Sequence, residues 1–497
     1  MGTISTILSA TTINVALPEI MGAFGIGQER VQLLSTAFFA SMTAFMLLNA
    51  WMVDTFGQRM TYVLAIMVFV VASFMGGLTN TEGILILSRV LQGSAAGILQ
   101  PLAMQIIFQV FPPEKRGMAM GMYGFGIVLA PAVGPALGGI IIDSFSWRYV
   151  FFMAVPFSVA GLFLAMIFLP GRSATGPPKR FDWLGFTLMA AFLFSLLTAL
   201  SNGQRHGWMS HTILSFLTFA LLAGVGFIIW QLHARAPMLN LKLFTNRIFI
   251  GASVVAFIFG AVFFATTFLV PVFAQTIQQY TPTRSGFLLM PAGLVLAFVF
   301  IIAGRLSDLM APHITLLFGL VLFAVSSFLM TNVDTNTPFW LFAWWIIIGR
   351  IGLGFIMPSL NVAAMRALPG TMIGQGAGAI NFMHQLGAAL GINLVSVLVE
   401  WRTGLYVQSF TVTQNAANSA TGELLRGVVD IYARIGVPEA IRNAGALDYL
   451  GRVIYMQGSM MGFRDGFLIL AVLSLAALFP ALMMRTSSQE SQENGRG

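Results

Sequence analysis

Long apolar stretches recur along the whole chain. Fourteen can be read, near residues 3–24, 32–53, 60–79, 83–105, 118–142, 147–169, 182–200, 211–231, 248–275, 285–303, 313–331, 339–361, 374–400 and 463–484. About 20 apolar residues wound as a helix cross the ~30 Å hydrocarbon layer of a bilayer. The pattern therefore restricts the chain to a bundle of membrane-spanning helices, an all-α polytopic protein. A β-barrel is excluded, because its strands would give weaker alternating segments of about ten residues. Only 8% of the 497 residues are charged and 57% are hydrophobic, with mean hydropathy +0.86. That is too little charge to coat a soluble globule, so a soluble enzyme and a disordered chain are both excluded.

The scarce charges are distributed unevenly. The even-numbered loops and the C-terminal tail carry thirteen Lys and Arg, among them Arg59, Lys115, Arg116, Arg180, Arg247, Arg305 and Arg366. The short odd-numbered loops carry four, Arg30, Arg148, Arg205 and Arg284. Cytoplasmic loops accumulate Lys and Arg, so both termini are expected in the cytoplasm, which fits an even number of spans, and the protein in the cell membrane. The net charge of +8 forms no patch, and nucleic acid is not an expected partner. Cysteine is absent, and the five histidines, His206, His211, His233, His313 and His384, are scattered. No cofactor or metal is expected, and an integral membrane enzyme would need clustered groups that the chain lacks.

The chain also repeats itself. Asp54, in Ala50-Trp-Met-Val-Asp54-Thr-Phe-Gly57-Gln-Arg59, matches Asp308 in Gly304-Arg305-Leu-Ser-Asp308, 254 residues later. Arg89 matches Arg350 at 261 residues and Pro112 matches Pro369 at 257. A near-constant offset makes spans 1–6 and 9–14 parallel copies, with spans 7 and 8 inserted. The expected units are 1–170, a six-helix bundle; 171–247, a cytoplasmic linker and the inserted pair; 248–484, a second six-helix bundle with a long extracytoplasmic loop at 401–462; and 485–497, a cytoplasmic tail. Two facing repeats are the architecture of an alternating-access transporter with its substrate site near the midplane.

A few polar residues stand inside this apolar frame. Arg89 lies within span four, and a guanidinium there must face a partner or a wet cavity. Gln92 shares its helix face at i+3. Arg350 lies in span twelve, and span thirteen carries Asn381, His384 and Gln385. His384 is able to exchange a proton near neutral pH. Span one is rich in Ser and Thr and contains Ser9 and Asn14; either it lines a polar pathway or the natural start lies upstream of Met1. Asp54 in the loop after span two is placed to cap exposed amides, with Gly57 and Arg59 completing a gating turn and Asp308 its copy. In span five, Pro131, Gly134, Pro135, Gly138 and Gly139 combine small residues for close helix contact with two prolines that fix a bend. Mid-span carboxylates are missing. The stretch Glu423–Arg434 has amphipathic spacing and is expected on the outer surface.

Several stretches together resemble the major facilitator superfamily, and more narrowly its fourteen-span drug:proton antiporters of the EmrB/QacA type. They are Thr11-Thr-Ile-Asn14-Val-Ala-Leu-Pro18, Asp54…Gly57-Gln-Arg59, Arg89-Val-Leu-Gln92-Gly93, Pro131-Ala-Val-Gly134-Pro135-Ala-Leu-Gly138-Gly139, Trp147-Arg148-Tyr-Val-Phe…Val155-Pro156, Phe181-Asp-Trp-Leu-Gly185 and Asn381…Gln385-Leu-Gly387. The resemblance implies two six-helix bundles in pseudo-twofold arrangement, with export of amphipathic or toxic compounds driven by inward proton flow. Its implied partners are a small-molecule substrate, protons and membrane lipids, with a periplasmic adaptor protein used by some relatives. Two positions depart from the family pattern: Ser9 stands where an acid is usual, and His384 where Arg is common. Proton coupling is therefore expected to involve His384 together with Arg89 and the polar face of span one. A facilitator or importer of a small organic solute is the alternative on the same fold.

Overall fold

A computed structural model describes residues 1–171, 181–234, 237–415 and 418–484, apart from the side chains of a few helical residues, Asn14, Pro131 and Pro135 among them. Among these residues the regular structure is helical throughout. In hydrocarbon no water meets a backbone amide or carbonyl, so each apolar run must satisfy its polar groups internally as a helix.

The first half holds α1 (Gly2–Phe24), α2 (Gln28–Met46), α3 (Asn49–Phe56), α4 (Gln58–Leu78), α5 (Glu82–Val110), α6 (Arg116–Ser144), α7 (Tyr149–Phe152) and α8 (Val155–Phe168). An inserted pair follows, α9 (Trp183–His206) and α10 (His211–His233). The second half holds α11 (Arg247–Thr276), α12 (Pro282–Leu309), α13 (Pro312–Leu329), α14 (Phe339–Arg366), α15 (Ile373–Thr413), α16 (Ser419–Arg434), α17 (Glu439–Ala476) and α18 (Leu478–Met483). Side-chain caps start several of them. Ser210 accepts from the amide of Ile213, and Asn246 accepts from those of Ile248 and Phe249.

Each half packs mainly on itself, α2 on α5 and α1 on α6 in the first, α11 on α15 and α13 on α14 in the second. The α11–α15 contact is backbone-close: a methyl on Gly260 would strike the carbonyl of His384, and one on Gly387 that of Phe257. The second half is centred on fully buried Phe249, Phe273, Phe342 and Phe467. Large apolar side chains such as Ile167, Phe168 and Leu221 point outward, as lipid contact permits.

Eleven helices among the described residues are long and apolar enough to cross a membrane, or thirteen when each of two bent pairs counts as one span. These counts among the described residues do not confirm the exact number of fourteen read from the apolar runs. The run at 118–142 coincides with α6, a continuous helix of 29 residues that is outside that count. Span two is bent by 57° between Leu33–Met46 and Asn49–Phe56. The expected long loop at 401–462 is largely helix. α15 continues 13 residues past Glu400 and α17 begins 24 residues before Phe463, with α16 packed against α17. Apolar length marks where lipid ends, and a polar helix can continue into water beyond it. The linker residues 172–180 and the tail 485–497 lie outside the described residues.

The inserted pair is pinned at its start by Asp182. Its carboxylate caps α9 through the amide of Gly185 (2.9 Å) and accepts from Trp230 Nε1 and Gln231 Nε2, both at 2.7 Å. α9 rests on α2 of the first half and touches α15 of the second. Phe186 meets Phe45 edge-on at 5.2 Å.

Candidate functional site

Arg89 is fully buried, and four helices supply its surroundings. Its Nη1 donates to Gln92 Oε1 at 2.8 Å and to Ser9 Oγ at 3.3 Å, and its Nε donates to the carbonyl of Leu34 at 3.3 Å. The guanidinium carbon lies 4.4 Å from the centre of the Phe38 ring. Gln92 is oriented in turn, donating from Nε2 to Ser73 Oγ at 2.9 Å. Among the described residues Nη2 has no hydrogen-bond partner. Among the described residues no carboxylate belongs to this cluster. A buried cation held only by neutral acceptors keeps most of its desolvation cost, so it is poised to attract an anion or a dipole. Close approach of α5 to α2 makes the cluster possible, because a side chain at Gly93 would collide with the carbonyl of Phe38 and Ser41 Oγ.

The second half has a different arrangement. Arg350 is 7% exposed, donates to Thr267 Oγ1 at 3.0 Å and lies over the Phe263 ring at 5.1 Å. Phe263 stacks on Phe259 (5.8 Å), and Phe259 stacks on His384 (5.1 Å, 25° between planes). The four side chains therefore form one row, Arg350–Phe263–Phe259–His384. Nε2 of His384 is buried without a partner. Asn381 donates to the carbonyl of Ala377 at 2.8 Å and to Met104 Sδ of the other half at 3.7 Å, and Gln385 is buried nearby. The structure thus joins Ser9, Arg89 and Gln92 in one cluster and Arg350 with His384 in another. No hydrogen bond or ring contact links the two clusters among the described residues. Ser73, Phe259, Phe263 and Thr267 were not singled out from sequence. The i, i+4, i+8 spacing of the last three on α11 is the signal that could have found them.

A third group ties the halves together. Asp308, in the last turn of α12, accepts from the amides of Gly117 (2.6 Å) and Met118 (2.8 Å) at the start of α6. Arg366, at the end of α14, faces Asp308 at 3.7 Å and donates to the carbonyl of Pro113 at 3.4 Å. Unpaired amides and the positive end of the helix dipole make a helix N-terminus a natural place for a carboxylate. Beside it α6 and α12 touch backbone to backbone, since a methyl on Gly117 would strike the Gly304 carbonyl and one on Gly121 that of Phe300. The other seam is closed at the same end: a methyl on Gly378 of α15 would lie 2.7 Å from the Met46 carbonyl, and one on Gly374 would lie 2.9 Å from Gln105 Oε1.

α3, which carries Asp54, packs against α15 of the other half. Asp54 and Arg59 are exposed, in the last turn of α3 and the first turn of α4. The turn between them is the single residue Gly57, whose φ of 80° favours glycine. In α6, Gly134 and Gly138 pack on Thr11 and Thr12 of α1, inside their own half, and nothing lies within 4 Å of a methyl built on Gly139. The α6–α12 seam between the halves includes Gly117, Gly121, Gly124 and Gly304, and the other seam Gly374 and Gly378.

The sequence profile of the Major Facilitator Superfamily matches residues 1–392. The multidrug transporter protein MdtP of Bacillus subtilis is 28% identical over 98% of this chain and 93% of its own length. The multidrug export protein EmrB of Escherichia coli is 25% identical over 93% of this chain and 91% of its own. Among solved structures, the proton:xylose symporter XylE superposes with a TM-score of 0.61 at 12% identity, covering 96% of this chain and 93% of that one, a likeness of fold. These matches are to membrane transporters and not to enzymes. With its two helical halves and a profile match over most of its length, the chain belongs to the major facilitator superfamily.

Proposed function

We propose that this protein exports small amphipathic or toxic compounds across the cell membrane by alternating access, driven by inward proton flow, with both termini in the cytoplasm. The observation that carries the reading is the Asp308 carboxylate of one half capping helix α6 of the other, at an end where both seams are closed. In this topology that end is cytoplasmic, so the molecule is held open outward, the state in which an exporter releases its load. Opening inward must break the Asp308 cap and the Arg366 contact together, which gives a two-state element that ligand and proton can bias. Multidrug relatives such as MdtP and EmrB support efflux as the direction.

Buried Arg89 and Arg350 face the interior without carboxylates, which favours neutral or anionic parts of a compound there. His384, with a free ring nitrogen beside the Arg350 row, is the side chain assigned to proton exchange. Growth inhibition by a panel of toxic compounds, with and without expression, tests the function. Resistance that collapses with an uncoupler is expected; resistance indifferent to the uncoupler, or increased sensitivity, contradicts it.

A further inference from the structure

A cavity of about 800 Å³ opens between the outer parts of α11, α15 and α17. All its walls belong to one half. On α15 the lining residues Ser396, Val399, Glu400 and Thr403 form an i, i+3, i+4, i+7 stripe. Counting about 20 residues of α15 from Ile373 to cross the hydrocarbon, and 1.5 Å per residue beyond, puts Glu400 at the level of the lipid headgroups. Neighbouring Trp401, 60% exposed, is placed as an interfacial anchor.

Glu400 is the unneutralised charge of this cavity. Arg402 is paired with Asp465 and Tyr406, and Arg452 with Asp448 at 2.9 Å. No hydrogen bond or ion pair reaches Glu400 among the described residues. Around it stand Phe268, Val272 and Phe463, so the site presents an apolar wall with one unpaired carboxylate, Glu400, beside the Asp448–Arg452 ion pair that also lines it. We propose that this groove holds the headgroup of an outer-leaflet phospholipid bearing an ammonium group, with the ammonium on Glu400. Charge complementarity to the unpaired Glu400 carboxylate selects that occupant over an anionic lipid.

The test is native mass spectrometry of the full-length protein released from detergent with equal phosphatidylethanolamine and phosphatidylglycerol. The wild-type protein is expected to retain phosphatidylethanolamine preferentially. Glu400→Gln is expected to weaken that retention about fivefold, while Glu400→Asp, which keeps the charge, retains it. Matching size-exclusion profiles for the three proteins establish that the fold is intact. Equal retention of both lipids, or unchanged preference in Glu400→Gln, overturns the proposal. So does Glu400-dependent binding of tetraphenylphosphonium without any lipid preference, which assigns the groove to free organic cations. The readout is lipid retention and does not depend on the transport direction proposed above.

Discussion

The carboxylate of Asp308 accepts a hydrogen bond from the backbone amide of Gly117 at 2.6 Å, across a sequence separation of 191 residues and across the boundary between the two halves. Asp308 leaves α12 where α6 begins, so one side chain meets both the unpaired amides and the positive pole of a helix belonging to the other half.

Removing that cap is expected to release the closed end of the α6–α12 seam. Asp308→Ala deletes two charge-assisted hydrogen bonds and one ion pair, which favours inward opening by about 1–3 kcal/mol. The chain has no cysteine, so spin labels at Met118→Cys and Leu309→Cys report the α6–α12 distance without background. A longer distance population is expected in Asp308→Ala, and an unchanged distribution would remove Asp308 from the latch.

The glycine seam is expected to tolerate no added side chain. Gly121→Val places a branched side chain against the Phe300 carbonyl, and overpacking of this kind costs about 1–3 kcal/mol in the closed state. Gly139→Ala, where a methyl meets open space, is the matched control. Loss of resistance in the first with normal membrane insertion, and none in the second, is expected in a growth assay.

Ser9→Asp is expected to neutralise Arg89. The new carboxylate stands where Ser9 Oγ now lies 3.3 Å from Nη1, converting a lone buried cation into a pair. Relief of that uncompensated charge is expected to raise thermal stability by about 1–3 kcal/mol, read from the unfolding temperature in detergent. It is also expected to move the resistance profile toward cationic compounds, and an identical profile would separate Arg89 from substrate selection.

His384→Gln is expected to uncouple transport from the proton gradient. Downhill movement of the compound persists, while uphill export falls about tenfold or more, the scale of losing a positioned proton-exchanging group. Unchanged uphill export in vesicles would remove His384 from the proton path.

Apolar run length placed nearly every span, because lipid leaves a chain few other ways to satisfy its backbone. Arg89, Arg350 and His384 were legible for the opposite reason, as polar groups costly enough in hydrocarbon to need a partner. The sequence also pointed to Asp308, though only as a weaker copy of Asp54. Its contacts depend on α6 arriving from the other half, and no local spacing records that encounter. The aromatic row from Arg350 to His384 was hidden because Phe259 and Phe263 are two of many apolar residues in α11. The helical extensions of α15 and α17 were missed because hydropathy reports the solvent around a helix and not where the helix stops.

The central claim is that proton influx drives export, and inside-out vesicles carrying an imposed pH gradient, acid inside, test it most directly. A compound identified from the resistance panel is added outside while a fluorescent dye follows the gradient. The expected result is uptake of the compound with simultaneous loss of the gradient, absent in vesicles lacking the protein. Uptake that leaves the gradient untouched, or that proceeds equally without one, would contradict the account.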